Sequence, residues 1–189
     1  MKTALLFSNI KKHITLSEEE KAHFQSLLRE DYLVKKKLLL SQGEPCNYIY
    51  FVNSGILRAF YLSPEGKEST IMFAAQDWWI TDMYCFLNEL PAMVTIQVVE
   101  NCSMLKLSKK GLDSLYEDIP QFNKLFRILM QNSYCREQLR TIQNLSLPAK
   151  ERYHRFLEKY PHIASKVTLK QIASYLGITP EFLSAIRGK

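Results

Sequence analysis

TLKQIASYLGITPEFLSAIR, residues 168–187, is the stretch from which the rest of this chain is best read. Leu169, Ile172, Ala173 and Leu176 fall on one helical face, the spacing of an apolar stripe that has to be buried. Gly177 follows, free to take the positive φ that ends a helix, and Leu183 and Ile186 then recur on a second helical face. The small Ala173 lets the first helix approach the second, and Gly177 starts a turn of the kind that joins steeply crossing helices. Thr179 is a good N-cap, Pro180 fits the first helical position, and Glu181 suits the positive end of the helix dipole. The pattern is that of a helix-turn-helix whose second helix would read DNA, the alternative being an ordinary αα-hairpin in a core.

Charge discriminates between the two. The last 44 residues, Ser146 to Lys189, hold 8 Lys and Arg against 3 Asp and Glu, whereas the other 145 residues hold 17 basic and 16 acidic side chains. The end that carries the helical pair therefore also carries the cations that would displace counterions from a nucleic acid.

A length of 189 residues with 47% hydrophobic composition suits two small domains with real cores. No apolar run reaches the roughly 18 residues of a membrane span, and Met1 to Asn9 lacks a signal-peptide core, so a cytoplasmic chain with no membrane partner is expected. Cys46, Cys85, Cys102 and Cys135 lie 39, 17 and 33 positions apart, which gives no metal-binding spacing and predicts free thiols and no metal.

Toward the N-terminus, Ser17 and Glu20 form a capping box ahead of a helix with Phe24, Leu27 and Leu28 on its apolar face. From Val34 the texture changes to short β-branched and aromatic runs: Leu38 to Leu40, Tyr48 to Val52, Ile56 to Leu62, Ser69 to Phe73, Thr95 to Val99 and Met104 to Leu107. Turn residues separate them at Gln42 to Pro45, Asn53 to Gly55 and Ser63 to Gly66, so the natural closure is an antiparallel barrel or roll. After Pro120 a helical pattern runs for about 25 residues without Gly or Pro until Pro148. At about 37 Å it is longer than one small domain needs, and Phe122, Leu125, Leu129, Leu139 and Ile142 are the expected seam of a homodimer. Asn132, Ser133, Arg136 and Gln143 dilute that seam, and packing on the chain's own roll is the alternative. The expected fold is α+β: a β-roll over residues 1–119, a dimerisation helix over 120–146 and a helix-turn-helix domain over 147–189.

This order resembles the bacterial transcription regulators typified by the catabolite activator and the fumarate–nitrate reduction regulator, the Crp/Fnr type, over nearly the whole chain. QGEPCNYIYFVNSGILRAFYLSPEGKE, with Gly43-Glu44, Tyr50, Ser54-Gly55, Leu57-Arg58 and Gly66 in order, resembles the first half of that family's cyclic-nucleotide-binding-like roll. VENCSMLKLSKKGLDSLY resembles its closing strand and following helix, and PAKERYHRFLEKYP the helix leading into the reader. The resemblance implies double-stranded DNA, a second copy of the chain, RNA polymerase and a small-molecule effector as partners.

The departures are informative. Where cyclic-nucleotide binders of this fold carry a Gly-Glu pair for the ribose and an Arg for the cyclic phosphate, this chain has Thr81-Asp82 and Ala92. Asp82 can accept a ribose hydroxyl, but a phosphate in a partly desolvated pocket would lack a paired charge, which argues against a cyclic nucleotide and leaves no cofactor expected. Trp78 and Trp79 make the segment bulky, so the pocket is either filled by side chains or holds a less charged, unidentified ligand. In the reader, Pro180, Glu181 and Ala185 stand where better-known members place Arg, Glu and Arg, so the DNA site should differ from theirs. Glu181 can accept from a cytosine amino group, and Thr179 and Ser184 can meet bases or phosphates. Thr168, Gln171, Lys170, Lys166, Arg187 and Lys189 complete the expected interface, the cations on phosphates. No strand wing is expected beyond the reader.

Two other classes remain to be weighed. A metal-dependent barrel enzyme would need inward His ligands, yet His13, His23, His154 and His162 all lie outside the predicted strands, and no nucleophile elbow, P-loop or dinucleotide motif occurs. The chain is therefore not read as an enzyme. A ligand-binding module that has lost DNA binding is the other alternative, suggested by Ala185.

Overall fold

The computed structural model describes residues 1–187; Lys189, one of the expected phosphate contacts, lies outside them. A short α1 (Ala4–Lys11), not anticipated from the sequence, buries Leu6 and Ile10. Before α2 (Glu18–Leu27), Ser17 Oγ accepts from Glu20 N at 3.1 Å while Glu20 Oε2 accepts from Ser17 N at 2.7 Å, the reciprocal box its spacing predicts. Leu28, expected on this helix, instead turns extended and opens β1 (Leu28–Leu33).

β2 (Leu38–Leu40), β3 (Tyr48–Leu62), β4 (Glu68–Ala74), β5 (Trp79–Ile80), a short α3 (Met83–Asn88) and β6 (Thr95–Ser108) complete the roll. The strands form an antiparallel sheet in the order β1-β6-β3-β4, with β2 on β6 and β5 on β3. Tyr48 to Val52 and Ile56 to Leu62, expected as separate strands, are one strand. The residues between them form a bulged bend whose register against β6 shifts at Val52/Ser54 and Ser54/Ile56. Gly55 sits there at φ 87°, and a Cβ would stand 2.3 Å from Asn101 O, so close backbone approach is what the glycine provides. Thr95 to Val99 and Met104 to Leu107 likewise join into β6. β1 escaped the sequence reading because Arg29, Glu30 and Asp31 mask it; charged side chains are usual on an edge strand.

α4 (Lys109–Asp118) leads into α5 (Gln121–Ser146), which begins and ends at Pro120 and Pro148 as expected. Its first turns pack Phe122, Leu125 and Phe126 into the roll core, with Phe24 and Phe122 ring centroids 4.7 Å apart. Phe122 and Leu125, placed by the sequence on a dimer seam, thus face the chain's own roll, and Leu129 packs against the same core. Leu139 and Ile142 are 47% and 54% exposed. At about 100° per residue, Ile142 lies nearly opposite Phe122, so the helix carries two apolar sectors that a single stripe had merged.

The C-terminal helices are α6 (Ala149–Lys159), α7 (Pro161–Lys166), α8 (Leu169–Leu176) and α9 (Pro180–Arg187). Tyr153, Phe156, Ile163, Ile172, Ala173, Leu176 and Leu183 close their core, and Ile56, Phe73 and Val99 of the sheet belong to the same cluster. The helical end is therefore seated on the roll by shared apolar packing.

Candidate nucleic-acid interface and sensory pocket

The pair α8–α9 is built from local signals. Thr168 Oγ1 accepts from Gln171 N at 3.2 Å and Gln171 Oε1 accepts from Thr168 N at 2.9 Å, a second capping box. Gly177 ends α8 in the left-handed conformation, and Ile178 N donates back to Ala173 O at 3.0 Å. Thr179 Oγ1 then accepts from Phe182 N at 3.2 Å, so α9 starts where the Thr-Pro pair predicts. Leu183 is fully buried, which turns Glu181, Phe182, Ser184, Ala185 and Arg187 outward.

These placements sort the sequence-predicted contacts. Glu181, Lys170 and Arg187 are exposed, and none makes a side-chain bond among the described residues. Pro180 is half-buried at the head of α9. Thr168, Gln171 and Thr179 have oxygens engaged as caps, and Ser184 Oγ donates to Pro180 O at 3.0 Å. Lys166 pairs with Glu100 of β6 at 2.7 Å, a tie to the roll. Phe182, 53% exposed, was passed over in the sequence although it adjoins Glu181.

The seating of α8 on the roll also escaped sequence reading. Ser174 Oγ donates to Glu68 O at 2.7 Å and accepts from Thr70 N at 2.8 Å, completing backbone bonds along the outer edge of β4. Thr70 Oγ1 donates to Ser174 Oγ at 3.1 Å and accepts from Arg58 Nε at 2.8 Å. Arg58, 2% exposed, also pairs with Glu68 at 2.6 Å and stacks on Phe60. A buried guanidinium is tolerated when its N–H groups and charge are met like this. Arg140 of α5 donates to Ile71 O on the same strand.

In the roll, Asp82 caps α3 and is buried, its carboxylate accepting from Met93 N at 2.8 Å, Val94 N at 3.1 Å and Cys85 N at 3.3 Å. Ala92 is buried, its backbone bridged to Gly43 and Glu44. Trp79 packs on Phe51 and Phe126, whereas Trp78 meets Tyr160 of the C-terminal end and lies under Arg136. The two tryptophans line a cavity of about 200 Å³ between the roll and α5, with Thr81, Met130 and Ser133; Asp82 and Ala92 do not line it. The four residues expected around one pocket are thus divided between two places.

Burial pushes the Cys46 and Cys85 thiols up and the Cys102 thiol to about 12, so the inner thiols stay protonated; Cys135 is exposed on α5. Among the described residues no three potential metal ligands come together, and no helix is long and apolar enough to cross a membrane.

The family model of the cyclic nucleotide-binding domain matches residues 30–118. The potassium channel KOR1 of Oryza sativa is 27% identical over 90 residues, 48% of this chain and 10% of the channel. The chain thus spans about a tenth of the length of that relative. The anaerobic regulatory protein of Pasteurella multocida is 22% identical over 187 residues, covering 93% of this chain and 68% of its own. A regulator of the Crp/Fnr family from Eubacterium rectale has the same fold, with a TM-score of 0.73 at 20% identity over 90% of this chain and 82% of that one. The channel's likeness covers under half of this chain, whereas each regulator is matched over nine-tenths of it or more.

Proposed function

We infer that this chain, a member of the Crp/Fnr family of bacterial transcription regulators, binds double-stranded DNA through α9 as a two-fold dimer. One observation carries the reading: a capped, cored helix pair holds Glu181, Phe182 and Arg187 outward on a cationic end of the chain. Glu181 is the acceptor for a cytosine amino group, Phe182 offers an apolar ring to a thymine methyl, and Lys170 and Arg187 meet phosphates. No catalytic role is assigned, and the protein acts in the cytoplasm.

The dimer forms along the outer sector of α5, where the half-buried Ile128 and the exposed Cys135 and Ile142 recur every 7 residues and Leu139 and Leu145 flank them. The effector is not a cyclic nucleotide. Ala92 offers no cation, and the Asp82 carboxylate is already bound by backbone N–H groups, which supports that exclusion.

Selection of bound duplexes from a random pool tests the function. A palindrome with half-sites about one helical turn apart is expected from a two-fold dimer. A pool that stays unenriched, or an enriched site without symmetry, would overturn it.

A further inference from the structure

A cleft of about 350 Å³ lies between the second half of α5, α6 and the end of α8. Arg136, Arg140, Arg152, Arg155 and Lys159 line it, against the single lining carboxylate of Glu158. Some of this charge is spoken for: Arg140 pairs with Glu137 at 3.0 Å and Arg155 with Glu151 at 2.7 Å. The rest is not. Arg136 bonds Ser133 at 3.1 Å with a loose approach of 3.7 Å to Glu137, and Lys159 sits over the Tyr160 ring without an ion pair among the described residues. Arg152 Nη1 bonds Asn144 Oδ1 at 3.0 Å and Leu176 O, while its Nε is enclosed and has no partner among the described residues. An enclosed N–H without a partner is unfavourable, and a concave wall of one sign focuses its potential on an incoming counter-charge. The volume suits a small ligand, and guanidinium forks match phosphate oxygens two at a time.

We propose that this cleft binds a small phosphate-bearing anion, held by Arg136 and Arg140 of α5 and by Arg152, Arg155 and Lys159 of α6. No α9 residue lines it among the described residues, which separates it from the reading face. A ligand there spans both sides of the joint at Leu147–Pro148 and fixes the reader domain relative to the dimer helix. Arg136 also lines the cavity beside Trp78 and Trp79, so the two places share one wall.

The test is calorimetric titration of inorganic pyrophosphate into the full chain at low salt, where one saturable site per chain is expected. Arg155→Gln should weaken binding about tenfold, the worth of one charge-assisted hydrogen bond. Glu158→Gln should tighten it about threefold by removing a like charge, a gain that misfolding cannot mimic. Lys35→Gln, exposed on the roll, should change nothing. Absence of saturable heat, or equal weakening in Arg155→Gln and Lys35→Gln, overturns the site. If pyrophosphate does not bind but Arg155→Gln lowers the salt slope of random-duplex binding by about one, the phosphates belong to DNA and the small-anion site is wrong. DNA binding that persists without pyrophosphate heat leaves the regulator reading standing.

Discussion

Glu181 and Arg187 share α9 but are expected to fail differently when truncated. On the proposed reading Glu181→Ala removes an acceptor from a base edge, so preference at one position of each half-site should relax by about 1 to 3 kcal/mol. If Arg187 and Lys170 meet phosphates as proposed, Arg187→Ala and Lys170→Ala should weaken every sequence alike and flatten the salt slope by about one for each phosphate left unneutralised. Competition binding across a panel of single-base site variants reads both effects. Unchanged base preference in Glu181→Ala would mean that α9 is not the reader. A second residue-scale expectation comes from Cys102, whose thiol burial raises from 9.0 to about 12. The unfolded chain gives up this proton first, so the stability is whole below pH 9.0 and is lost as pH climbs toward about 12. Tyr116, raised to about 12 mainly by burial, acts in the same direction. Urea midpoints in reducing buffer should therefore fall steeply across that window and less steeply in Cys102→Ala. An equal slope in both proteins would exclude the thiol as a cause.

Among the elements, α5 divides into a half packed on the roll and a half proposed to meet a second copy. Its first turns are committed to the roll through Phe122, Leu125 and Phe126, while Ile142 stays 54% and Leu145 85% exposed among the described residues. In a parallel two-fold pair, Cys135 would face its own copy within the 4.4 to 6.8 Å Cα separation, roughly, that a disulfide spans. Mild oxidation with copper-phenanthroline should yield a covalent dimer that Cys135→Ser abolishes, the other thiols being buried. Ile142→Asp should shift the light-scattering mass toward monomer, because it places a charge in an apolar seam. If the wild type is dimeric but Cys135 never cross-links, the two copies meet elsewhere. Leu129→Asp should instead lower the folding stability of a single chain, since Leu129 packs on the roll.

For the molecule as a whole, the decisive contact is the one seating α8 on the β4 edge. Ser174→Ala leaves Glu68 O and Thr70 N without their partner, a cost of about 1 to 3 kcal/mol for desolvated backbone groups. Amide exchange at Thr70 should accelerate by the corresponding factor of about 5 to 150, while amides in the β3–β6 ladder keep their protection. Unaltered exchange at Thr70 would mean that the edge is held shut by the aromatic packing of Phe73, Phe156 and Tyr175 alone. Elements whose signals act within a few residues were legible in the chain itself: the capping boxes at Ser17 and Thr168, the Thr179-Pro180 start of α9, the Gly177 stop and the proline limits of α5. So was the core stripe of α8, because helical periodicity states which side chains must be covered. Periodicity does not say what covers them. Phe122 and Leu139 are equally apolar, and only the packed roll assigns one to the core and leaves the other 47% exposed. Asn53-Ser54-Gly55 has the composition of a turn, and only Asn101 across the sheet makes it a bulge. Arg58, Thr70 and Ser174 read as ordinary polar residues because their partnership spans up to 104 positions, a separation that no local pattern encodes and that tertiary packing alone closes.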